Sequence, residues 1–177
     1  CNIGNDLNLC GTNLVGDFES IEELGDWQYH AALIASDLRV GGCIKLGQKS
    51  CLSEGRHSLN SVGSVRLQRV EVGKDVQLFN AKVVGIGPKI RPSAPQASHE
   101  RSSAPPNTAF DLSYSNVGGI LIIGENDLTG AVNLYCTKTD LLWDTQDGYP
   151  ADDECNEEDI QLVGFTFRVL MLPDLED

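Results

Sequence analysis

The sequence predicts an all-β protein, an antiparallel barrel or sandwich of about eight short strands. Three observations carry this. Segments rich in Val, Ile, Leu and aromatic residues recur along the chain, residues with turn chemistry separate them at short intervals, and no helical stretch long enough for a βαβ crossover lies between them. The 177 residues fit one domain spanning 1–177, and 41% hydrophobic with 22% charged residues is an ordinary globular composition. The 13 Lys and Arg against 26 Asp and Glu give a net charge of −13. That excess excludes nucleic acid and anionic membrane surfaces as partners, because each phosphate contact needs a cation. No apolar run is long enough to be a transmembrane segment.

Residues 1–16 read as an N-terminal arm without period. Ser20 and Glu23 stand at capping-box spacing, which predicts a short helical turn before Gly25. The strand candidates follow: Trp27–Ala35, Gly55–Asn60, Ser64–Val70, Val76–Val84, Ala109–Ser115, Gly119–Gly124, Gly130–Thr137 and Leu141–Thr145. In Ser64–Val70 the residues Val65 and Leu67 alternate with Arg66 and Gln68, so one face is buried and one wet. The Pro-rich stretch 88–108 reads as a long surface loop, and its Arg101 invites comparison with an inhibitor loop, although a solvated loop explains it better. Carboxylates followed by apolar residues predict a short helix over 151–164.

Six cysteines (Cys1, Cys10, Cys43, Cys51, Cys136, Cys155) without a CxxC pair, and three scattered histidines (His30, His57, His99), favour disulfides over a metal site. An oxidising, extracellular compartment is therefore expected, and a chain starting at Cys1 fits removal of a signal peptide. Spacing leaves all 15 possible pairings open. There is no GxSxG, P-loop, HExxH or GxGxxG element, so nothing requires an enzyme, and no catalytic or metal residue is assigned.

Several segments resemble the lipocalin family. Asp17-Phe18 leads to Gly25-Asp26-Trp27, like the family's opening G-x-W. Cys51 with His57–Leu67 is similar to its second hairpin, and Asn80–Gly85 followed by Pro88 to the next strand. Ile120–Ile123, Asn126–Leu128 and Ala131–Cys136 resemble the TDY region, and Leu141–Trp143 the last barrel strand. The sequence departs from the family at Gln28, at Asn126-Asp127-Leu128 and at Gln146–Asp147, where the family's arginine is missing.

The resemblance implies an eight-stranded antiparallel up-and-down barrel with a short C-terminal helix, the β-sandwich being the alternative. Gly25 and Trp27 would plug one end. The implied function is extracellular binding and transport of a small hydrophobic ligand (a lipid, retinoid, tetrapyrrole or carotenoid) in the barrel cavity. Its lining would be drawn from Leu67, Leu78, Phe79, Phe110, Tyr114, Leu134 and Tyr135. No cofactor is required beyond a bound lipid or pigment, and the oligomeric state stays open. The family pattern pairs Cys10 with Cys136 and Cys51 with Cys155, leaving Cys1 with Cys43. The alternative function is a structural, carbohydrate-recognising or partner-recognising module without a hydrophobic ligand.

Overall fold

Apolar residues recur at matching places in successive turns of the chain, and stacking them builds the fold. In the computed structural model, which describes residues 1–16, 31–47, 59–85, 108–144 and 160–171, every strand pair is parallel and joins one turn of a coil to the next. The molecule is a parallel β-helix with three faces. The first face holds β1 (Asn2–Ile3) with β2 (Leu7–Asn8), β5 (Arg39–Val40) with β6 (Ile44–Lys45), β9 (Glu71–Val72) with β10 (Val76–Phe79), then β13 (Asn116–Gly124), β16 (Lys138–Asp144) and β18 (Thr166–Met171). The second face holds β3 (Thr12–Val15), β7 (Leu59–Val62), β11 (Ala81–Val84) and β14 (Asp127–Thr129). The third holds β4 (Ala31–Ser36), β8 (Ser64–Gln68), β12 (Thr108–Asp111), β15 (Ala131–Asn133) and β17 (Ile160–Gln161).

In-register stacking fills the interior. On the first face Leu7, Ile44, Val76, Leu121, Leu142 and Leu170 lie one above another. On the third, Leu33, Val65, Phe110, Val132 and Ile160 do the same. Down to Leu142 on the first face and Val132 on the third these rows meet in one continuous apolar core, while Leu170 in the last coil is exposed, so burial from water is the main stabilising term.

A file of glycines bends the first face. Gly4, Gly41, Gly73 and Gly118 each follow an inward Ile or Val, and a Cβ on Gly41, Gly73 or Gly118 would run into the carbonyl of the glycine one coil earlier. Backbone approaches backbone there, so no side chain fits. Beyond this file the register shifts between Val117 and Ile120, where one residue, Asp140, faces Gly118 and Gly119.

The antiparallel barrel is therefore corrected, and the sandwich with it: the strands pair in parallel across coils. Each expected segment overlaps a strand, while the pairing changes and the short strands β1–β3, β5, β6, β9, β14 and β17 come in addition. Turns at Gly63, Asn80, Glu125 and Gly130, which in a hairpin would reverse the chain, here only turn a corner. Residues read as an arm form β1 to β3, which with β4 make the first coil. In the stretch expected to be a helix, Ile160–Gln161 is strand β17, and residues 151–159 lie outside the described residues. Among the described residues there is no helix, and hence none long and apolar enough to cross a membrane. The early helical turn, Gly25, Trp27, Cys51, Cys155, Arg101, the three histidines and the Pro-rich loop up to residue 107 also lie outside the described residues. Thr108 opens β12.

Candidate recognition surface

The corner between the third and first faces is built from single residues in the left-handed backbone region. Asp37, Arg69, Tyr114 and Cys136 have φ of 54°, 54°, 57° and 53°, and Gly164 continues the file at 72°. Only glycine takes this conformation without strain, and Asp tolerates it better than Arg, Tyr or Cys. Stacking offsets the cost: the amides of Asp37, Arg69, Tyr114 and Cys136 donate to the carbonyls of Gln68, Ser113, Tyr135 and Val163 at 2.8–3.1 Å. The corner residues thus form an axial file with their side chains largely outside the core.

A second file runs beside it. Asn2, Arg39, Glu71, Asn116, Lys138 and Thr166 are in register on the first face, all exposed. Between the two files the chain turns inward through Leu38, Val70, Ser115 and Thr137, all buried. The Ser115 hydroxyl accepts from the Val70 amide at 3.2 Å and donates towards the Leu67 carbonyl at 3.1 Å. The Thr137 hydroxyl donates to the Leu112 carbonyl at 2.6 Å. These buried hydroxyls satisfy backbone groups that the corner frees, and they fix its shape.

The two files enclose a shallow cleft of about 600 Å³ lined by Asp37, Arg69, Val70, Glu71, Tyr114 and Asn116. Arg69 holds Asp37 through two parallel bonds of 2.8 and 2.9 Å, and Arg39 holds Glu71 at 2.8 Å. The Arg69 guanidinium keeps the Asp37 carboxyl below its usual range. Tyr114 is 50% exposed and stands edge-to-face with Tyr135, ring centres 5.2 Å apart. Cys136 and Tyr114 beside it push the Tyr135 phenol above its ordinary value.

A second hollow, about 490 Å³, lies over the glycine bend between Gly4, Asn5, Asp6, Gly41, Gly42 and Lys74. Its carboxylate is already engaged: Asp6 accepts from the Cys43 amide at 2.8 Å and pairs with Lys45 at 2.9 Å. The Cys43 amide, and after it Lys45, lower the Asp6 carboxyl.

Of the expected ligand-lining residues, Leu67, Leu78, Phe79, Phe110 and Leu134 are buried at 5% exposure or less, the first two and Phe110 completely. Leu67, Leu78, Phe110 and Leu134 belong to the packed interior, which leaves them no cup to line. Tyr114 and Tyr135 are brought together, on the outside. Asp37, Arg69, Glu71 and Asn116 were missed by sequence reasoning. The signal that could have found them is a repeat: Asn2-Ile-Gly, Arg39-Val-Gly, Glu71-Val-Gly and Asn116-Val-Gly mark the start of successive coils.

Of the expected cysteine pairs, the two that fall within the described residues, Cys10 with Cys136 and Cys1 with Cys43, are not brought together, and Cys51 with Cys155 lies outside them. Cys10 follows β2 in the first coil, with its thiol towards the Lys45 carbonyl at 3.9 Å, while Cys136 stands at the corner after β15. Cys1 precedes β1 beside Leu38, its carbonyl accepting from the Arg39 amide, whereas Cys43 lies further along the same face beside Asp75. Cys1, Cys43 and Cys136 are free thiols. Among the described residues no three His, Cys, Asp or Glu side chains converge to hold a metal ion.

Comparisons with protein families, with curated proteins and with solved structures find no match for this chain.

Proposed function

We propose that this chain is a recognition module that binds an extended ligand on the outside of its β-helix, along the corner between the third and first faces. The observation that carries the proposal is the half-open Tyr114 ring in a cleft whose other walls, Asp37, Arg69, Glu71 and Asn116, are fixed by strand register and by ion pairs. Side chains held before the ligand arrives lose little freedom on binding, which favours affinity. A partly exposed aromatic among polar groups is the usual anchor of a recognition surface. Solenoids also present such groups in lines, which suits long ligands.

A carrier for a hydrophobic molecule has no comparable support. That reading rested on a barrel lumen, and four of the residues assigned to its lining are packed in the core.

The test is a titration of the intact chain with soluble oligosaccharides and extended peptides, followed by calorimetry, on the native protein and on Tyr114→Asn. Asparagine tolerates the left-handed backbone while removing the ring. The native chain is expected to bind a member of the panel, and the variant to bind it roughly tenfold more weakly with an unchanged circular dichroism spectrum. Equal affinity of the two proteins, or binding of no member, overturns the proposal.

A further inference from the structure

We infer that the ligand of this corner is a neutral polyhydroxylated chain, an uncharged glycan, lying along the axis with one sugar ring on Tyr114; this rests on the recognition reading above. The charges of the cleft point this way. Asp37, Glu71 and Arg69 line it and Arg39 stands beside it on Glu71, so two negative and two positive charges meet, and each Arg is already bound to one of the acids. Within the cleft a polyanion would have to break these pairs to gain a cation; Lys138 lies one coil beyond Asn116, outside the lining, and the approach is to a chain of net charge −13.

The hydrogen-bonding inventory fits hydroxyl groups. A sugar hydroxyl both donates and accepts, so neighbouring hydroxyls need donors and acceptors side by side. Here the Arg69 guanidinium has donors beyond the two that hold Asp37, the carboxylates of Asp37 and Glu71 accept, and the Asn116 amide does both. Tyr114 supplies the apolar element, a partly open ring against which the C–H face of a sugar can pack. Residues of each file sit one coil apart, about 4.8 Å, a step comparable to one unit of an extended glycan.

A peptide fits less well. The corner amides of Asp37, Arg69, Tyr114 and Cys136 are all used in stacking the coils, so a peptide backbone finds no strand edge there to extend.

The experiment uses the full chain and three probe sets: neutral oligosaccharides (cello-, malto-, xylo- and chito-hexaose), anionic ones (oligogalacturonate and a heparin hexasaccharide), and a Lys-rich peptide. Tyr114→Asn and Tyr114→Phe accompany the native protein. The expected result is binding of a neutral oligosaccharide, nearly unchanged from low to high salt, weakened at least tenfold by Tyr114→Asn and retained by Tyr114→Phe. Binding confined to the anionic sugars or to the peptide, and still dependent on Tyr114, overturns the neutral-glycan inference while leaving the recognition surface standing. A neutral glycan that binds Tyr114→Asn as well as the native chain overturns both. So does the absence of binding to every probe by a correctly folded protein.

Discussion

Gly73 and Gly4 occupy equivalent places in the coil, yet they have different physical roles. A Cβ at Gly73 would strike the Gly41 carbonyl, and one at Gly41 the Gly4 carbonyl, whereas at Gly4 nothing lies within 4 Å. The obstacle is backbone, which cannot rotate away as a side chain can. Gly73→Ala and Gly41→Ala should therefore cost about 1–3 kcal/mol, the range for overpacking. Gly4→Ala should stay within about 0.5 kcal/mol, as for an ordinary surface change. Urea unfolding of the three variants measures the contrast, and equal losses would mean that the bend is not set by this contact. Asn126 poses a second residue-scale test. Its side chain bridges two coils, accepting from the Ala81 amide and donating to the Leu78 carbonyl, both at 2.9 Å, while only 8% exposed. Asn126→Ala leaves those groups without partners and should cost about 1–3 kcal/mol. Asn126→Asp should be worse, because it removes the donor and buries a charge. Asn126 also shows how a residue can be noticed for the wrong reason: in the sequence it belonged to a family-like triplet, and only the fold reveals the bridge.

At the scale of elements, ion pairs clamp one coil to the next: Asp37 to Arg69, Asp140 to Arg168, and Asp6 to Lys45. Each partner cation lowers the carboxyl of its Asp, and at Asp6 the Cys43 amide does so first. A carboxyl with a lowered folded pKa stabilises the fold while it is ionised. That contribution is complete above the unfolded value, about 3.9, and is lost as pH falls through the lower folded value. Thermal midpoints should therefore hold from neutral pH to about 4 and decline below it. The decline should be shallower at high salt and in Asp37→Asn, because these pairs are exposed and screened. A midpoint that is flat down to pH 2 would show that the clamps contribute nothing. Strand positions were largely legible at this scale. Val65 and Leu67 do face the core while Arg66 and Gln68 are half-buried. The corners were legible as turns but not as corners, because the same residue types serve a 180° reversal and a single left-handed step.

For the whole molecule, parallel stacking makes stability depend on neighbours. β13 is hydrogen-bonded to β9 and β10 on one side and to β16 on the other, whereas among the described residues β18 pairs with β16 alone and is exposed along its length. Amide exchange should accordingly be slowest in Val117–Ile123, limited by global unfolding, and faster by orders of magnitude in Thr166–Met171, where the last coil opens alone. Equal protection of the two strands would argue for a partner or further chain on the open side of β18. The sequence by itself determined the all-β class, the positions of most of the longer strands, the acid excess and the segments that turn, since these follow from residue type and local alternation. Only the tertiary structure decided that the strands run parallel, that Leu67, Leu78 and Phe110 fill a core, and that Asp37, Arg69, Glu71 and Tyr114 share a cleft. The reason lies in spacing. Gly4, Gly41, Gly73 and Gly118 recur at intervals of 37, 32 and 45 residues, so unequal segments between strands hide the repeat. Strand register then brings together residues whose distance along the chain carries no sign of it.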